Sequence, residues 1–205
     1  ASWWSISSPS RACTDPVPRD RSVLTLAEHG ALHLPGAALA SLTAIDAATA
    51  GLPIDRAGIR LHGIVPLARL LAADGPIGAL AAARLGPDCR AVRAILFDKS
   101  PALNWSLAWH QDRTIAVTRR IDVAGFGPWT HKAGLLHVAP PFALLAEMMT
   151  MRVHLDPVPA DNAPLLIAPG SHRLGKIPEA EIESIVARCG TFACLGDAGD
   201  AWLYA

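Results

Sequence analysis

Residues 109–114 read WHQDRT, at the end of the run NWSLAWHQD. His110 and Asp112 are two positions apart, and side chains at i and i+2 of an extended strand leave on the same face. An imidazole and a carboxylate that point the same way are two of the ligands a ferrous ion takes when two His and one carboxylate bind one octahedral face. The same pair also serves as an ordinary hydrogen-bonded His/Asp couple at a strand end. The spacing by itself leaves both readings open.

Other candidate groups have simpler explanations beside a chemical one. His154 in MRVHLD alternates with apolar residues and reads as a buried, satisfied His or a ligand. His172 follows a Pro-Gly turn in PGSH, where turn structure is the better account. His131 and His137 lie in the stretch GFGPWTHKAGLLHVAPP (125–141), a Gly/Pro-marked loop expected to cover a site, where substrate contact and plain exposure are equally open. Asp161-Asn162 is turn chemistry. Met148, Met149 and Met151 suit core filling, and His29, His33 and His62 receive no role.

The elements that must position these groups change character along the chain. Residues 1–22 read as an irregular arm. AALASLTAIDAATA, PLARLLAAD and GALAAARL read as helices, so residues 1–90 are expected to be mainly helical. From residue 91 the pattern turns to strands: AVRAILFD, NWSLAWHQD, RTIAVTRR, MRVHLDPV and PLLIAPGSH. FALLAEMMT is a short helix. PEAEIESIVARCG is a clear one, with Pro178 at its start, a stripe of Ile182, Ile185, Val186 and Cys189, and Gly190 at its end. TFACLGDAGDAWLYA closes as strand, turn, strand. Helices followed by short strands indicate an α+β fold, one domain of residues 1–205 whose site-bearing part is an antiparallel sandwich or barrel.

Composition narrows the class. The 205 residues carry as many Lys and Arg as Asp and Glu, with the basic residues scattered. A nucleic-acid partner calls for a basic face, and none is visible. No window approaches the roughly 18 apolar residues of a membrane span, and the first residues lack the order of a secretory signal. Cys13, Cys89, Cys189 and Cys194 have no metal or framework spacing, so reduced thiols in a cytoplasmic protein are expected.

The ordered series FDKSPALNWSLAWHQD, HVAPP, MRVHLDPVPADNAPLLIAPGSHRLG and GDAGDAWLYA, over roughly residues 92–205, resembles the phytanoyl-CoA dioxygenase family of Fe(II)- and 2-oxoglutarate-dependent oxygenases. The resemblance implies a double-stranded β-helix, a jelly-roll barrel of cupin type, with the helical N-terminal part packed on it. It implies iron(II), 2-oxoglutarate and O2 as the reacting set, hydroxylation of a C–H bond of a small organic substrate, and succinate and CO2 as co-products. By motif, His110 and Asp112 become iron ligands. Lys99 and Asn104 become cosubstrate contacts, where the blander reading is solvated turn residues. Trp129 becomes a wall of the cosubstrate pocket, where the alternative is a loop anchor.

The resemblance also implies a second ligand His a few residues beyond GDAWLYA and an Arg shortly after it. The sequence ends at Ala205, before either position. We therefore expect the barrel core of residues 91–205 to be incomplete and the 205-residue polypeptide to turn over little. The rival class is an inactive or truncated relative that binds a small molecule or a partner. A cupin-like hydrolase or isomerase would need further His beside the first pair, such as His-x-His, and none is present.

Overall fold

The computed structural model describes residues 20–53, 58–98 and 107–205. After a 3-10 turn at Arg21–Val23 comes one helical turn, α1 (Leu26–His29), closed at both ends by local chemistry. Thr25 Oγ1 accepts the Glu28 N–H at 3.2 Å, and Gly30 takes the left-handed conformation at φ 72. The chain then enters β1 (Ala31–Leu34). A 3-10 turn leads into α2 (Leu42–Thr49), followed by β2 (Ile59–Leu61), α3 (Val65–Leu70) and α4 (Gly78–Leu85). The three helices expected in the first ninety residues are present. Strands β1 and β2 were not expected there.

The later elements are β3 (Ala94–Leu96), β4 (Ile115–Val117), β5 (Trp129–Lys132), β6 (Leu135–Val138), α5 (Phe142–Ala146), β7 (Thr150–Val153) and β8 (Leu165–Ile167). They end with α6 (Ile182–Cys189), β9 (Phe192–Cys194) and β10 (Ala201–Tyr204). Strand β1 pairs antiparallel with β10, and β10 with β7, so a segment of the helical part closes one edge of the terminal strand.

The two faces of β10 serve two cores. Leu203, fully buried, lies in register with Met151, and Met151 and Val153 pack with Ala38, Ile45 and Ile77 of the helical layer. Trp202 faces the other way onto Leu24, Phe192 and Cys194, with Leu165 and Ile167 beside them. Strands β8 and β9 pair through Leu165–Cys194 and Ile167–Phe192, so that small sheet lies face to face with β1-β10-β7 across Trp202. Burying side chains of this size contributes about 1.5–3 kcal/mol each. A third cluster, Ile177, Ile185 and Cys189, seats α6.

One expectation is met in part and one is corrected here. Among the described residues the strands, three or four residues each, stay in four separate antiparallel sheets, and no jelly-roll barrel is drawn. Cys189 is disulfide-bonded, against the expectation of reduced thiols throughout, while Cys89 and Cys194 are free. No described helix is long and apolar enough to cross a membrane.

Candidate active site

Residues 107–114 form no strand in the structure; the extended element begins at Ile115. Side-chain bonds hold the segment in place of a backbone ladder. Gln111 Nε2 donates to the Gly175 carbonyl at 2.9 Å, and its Oε1 accepts the Ile177 N–H at 2.8 Å. Arg113 donates to the Ile177 carbonyl and pairs with Glu179 at 3.2 Å. Gln111 and Arg113 thus fasten the segment to the approach of α6, and the residues that alternate with them, His110 and Asp112, are left exposed.

His110 Nδ1 lies 2.7 Å from the Ala108 carbonyl. A carbonyl only accepts, so Nδ1 is the donor in this contact and Nε2 is the nitrogen left to face a metal. Asp112, whose side chain is 50% exposed, gives Oδ2 to the Arg93 guanidinium at 2.9 Å. Its other carboxylate oxygen has no protein partner among the described residues.

The far end of β10 carries Tyr204. The Tyr204 hydroxyl is pushed up to about 12 by burial; the Arg152 cation opposes the shift, and the Asp112 carboxylate adds to it. Tyr204 is therefore within electrostatic reach of Arg152, Asp112 and Arg93. Arg152 lies in register with Trp202, so its side chain leaves β7 on the face of the sheet that looks toward β9. Burial pushes the neighbouring Cys194 thiol up to about 12, again with Arg152 opposing.

The opposite end of β10 is closed by a buried polar knot. Asp200 accepts from His33 Nε2 at 2.9 Å, from the Gly36 N–H at 2.8 Å and from the Asp197 N–H at 3.1 Å. Burial works to raise this carboxyl, and those three partners outweigh it, so it titrates below the usual 3.8. His154 is buried beside the knot with both ring nitrogens unpaired, and burial, followed by the Arg152 cation, lowers its pKa. Four residues of strand, about 13 Å, separate Asp200 from Tyr204, which sets His154 apart from the Asp112 end.

Lys99 and Asn104 lie outside the described residues. Trp129 sits on β5, with the Arg120 guanidinium 5.4 Å from its ring centroid. The stretch expected to be an irregular covering loop instead contains the hairpin β5–β6, which adds to β4 in a three-stranded sheet. Within it His131 is exposed and His137 is fully buried, with Nε2 unpaired and Nδ1 3.0 Å from the Leu135 carbonyl. His172 occupies a 3-10 turn, as its Pro-Gly context indicates. Sequence reasoning passed over Gln111, Arg93, Arg152 and Tyr204. For Arg152 the signal was present, since MRVHLD places one cation between apolar neighbours of a strand.

On this surface His110 carries an imidazole nitrogen and Asp112 a carboxylate, donor types that iron accepts. Among the described residues no group of three or more His, Cys, Asp or Glu is placed to hold a metal. No curated protein and no solved structure matches the chain at a significant level. A family model does match, over residues 56–204, and its description is Phytanoyl-CoA dioxygenase (PhyH). That span takes in most of the chain, including WHQDRT and every strand after β1, and on it the chain belongs to the phytanoyl-CoA dioxygenase family.

Proposed function

We propose that the protein is an Fe(II)- and 2-oxoglutarate-dependent dioxygenase that hydroxylates a C–H bond of a small organic substrate. The observation that carries this reading is the state of His110. Its Nδ1 is committed to the Ala108 carbonyl, and its free nitrogen is presented two residues from an exposed carboxylate, within the family match. When bound, iron(II) with 2-oxoglutarate supplies oxygen activation coupled to decarboxylation of the cosubstrate to succinate. The chain's own residues hold and neutralise. Gln111 and Arg113 fix the segment, His110 offers its Nε2 nitrogen, and Asp112 offers a carboxylate oxygen whose charge Arg93 balances until a metal takes it. The sheets stacked across Trp202 are, in this reading, part of a double-stranded β-helix. Lys99, Asn104 and Trp129 are proposed cosubstrate contacts.

The test uses protein expressed from its full natural reading frame, freed of adventitious metal and resupplied with Fe(II), ascorbate and 2-oxoglutarate. Succinate formation is expected, and His110→Ala and Asp112→Ala are each expected to bring it to background. Undiminished succinate from Asp112→Ala would overturn the assignment.

A further inference from the structure

His33, His154 and Asp200 meet where β10 begins, and all three are buried. His33 on β1 lies in register with Trp202 and stacks on its ring, with 4.5 Å between centroids. Asp200 precedes Trp202 by two positions, and its carbonyl accepts the His154 N–H at 2.9 Å. The Asp200 carboxylate is fully used. Its Oδ1 takes the Gly36 N–H at 2.8 Å, while Oδ2 takes His33 Nε2 at 2.9 Å and the Asp197 N–H at 3.1 Å. Two of these bonds fasten β1, and the turn that follows it, to the start of β10. The Ala38 N–H adds a bond to the Gly199 carbonyl at 2.8 Å.

His154 stands beside this junction and takes no part in it. Both of its ring nitrogens are buried without a hydrogen-bond partner, a costly state for an imidazole. Gly196 closes over it. A Cβ on Gly196 would lie 2.8 Å from His154 Nδ1 and 2.7 Å from Asp200 Oδ2, so those two atoms border one small space. The charged and titratable groups around the imidazole are Arg152 on β7, Asp200 at the start of β10 and His33 on β1. Asp197, in the turn that carries Gly196, is exposed. Burial, and after it the Arg152 cation, keep the ring neutral at neutral pH. Acid makes both nitrogens donors and adds a charge. The acceptor across the shared space is Asp200 Oδ2, which already serves two donors. At pH 5 Asp200 is still a carboxylate, because its partners hold it below the usual 3.8.

We propose that His33, Asp200 and His154 form an acid-operated latch, in which protonated His154 draws Asp200 Oδ2 away from His33 and lets β1 and the turn after it come away from β10. Strand β1 suits such release, since it has four residues and lies at the edge of its sheet. Its departure would leave the backbone groups along one side of β10 unpaired and open to another strand. The latch goes beyond the oxygenase reading and does not rest on it, because neither His110 nor Asp112 takes part.

Amide hydrogen exchange tests the latch, on protein expressed from its full natural reading frame, at pH 7.5 and at pH 5. Exchange is read by mass spectrometry and corrected for the chemical dependence of the rate on pH. Helix α6 serves as the internal reference for any loosening of the whole fold. Between the two pH values, protection of the amides of residues 31–38 is expected to fall at least tenfold more than protection of α6. His154→Gln cannot take up the proton and should abolish that excess. His154→Phe, a buried ring without nitrogens, should do the same. Protection of residues 31–38 that holds or rises at pH 5 would show that protonated His154 leaves the junction intact or tightens it, and would overturn the proposal. So would a loss no larger than that of α6, or an excess loss that persists in either variant when it is folded by circular dichroism.

Discussion

At the scale of single residues, what separates His110 and Asp112 from their neighbours is the work done by Gln111. Its amide uses both ends, donating to Gly175 and accepting from Ile177, and so holds residues 107–114 where no strand pairing does. Gln111→Ala should cost about 1–3 kcal/mol, chiefly because the Ile177 N–H loses its acceptor in a partly buried place. Gln111→Glu keeps that acceptor and loses the donor to Gly175, so an intermediate loss is expected. Urea unfolding measures both, and a Gln111→Ala midpoint equal to the parent's would show that these bonds do not hold the segment. The candidate ligands could be named from the sequence because their residue types and spacing suggest a chemistry. Gln111 could not, because an amide says nothing in sequence about which backbone it meets 64 positions away.

Among the elements, the hairpin β5–β6 shows how turn chemistry hides a strand pair. Its two-residue loop is Ala133-Gly134, at φ 48 and φ 78. Positive φ at both central positions is the turn type that suits a two-residue hairpin, and Asn-Gly is its preferred sequence. Alanine in the first position is strained there and masks the signal, so 125–141 reads as a loop from its Gly and Pro. Ala133→Asn should relieve the strain and stabilise the protein by about 0.5–1 kcal/mol, read as a rise in the unfolding midpoint. A fall would show that the turn does not govern the hairpin. Gly199 plays the opposite part at the start of β10. It stands at φ 87, and a Cβ there would lie 2.7 Å from the Leu39 Cα, so the GDAGD turn was visible in the sequence while the helical layer that crowds it was not.

For the whole molecule, burial of titratable groups makes stability fall with acid. Burial lowers the pKa of His154 and of His172 from the ordinary 6.5, so the folded protein resists protonation at both. Below about pH 6.5 the unfolded chain takes up protons that the folded state does not, and stability declines with pH until the lowered folded values are reached. Asp200 adds a second loss below its ordinary 3.8, since its carboxylate form is the one the fold prefers. The urea midpoint should therefore drop from pH 7.5 to pH 5, and His154→Gln should remove part of that slope. A midpoint that stays level or rises would refute this account. The sequence by itself determined the helices of the first ninety residues, most of the later strands and the family, because each rests on local periodicity, punctuation or an ordered series of motifs. Only the tertiary structure decided that β1 pairs with β10 and that Trp202 joins two sheets. It also decided that Arg152 and Tyr204 share a face with Trp202. Strand pairing and the facing of side chains depend on which distant segments supply partners and exclude water, and no local pattern of residues encodes that.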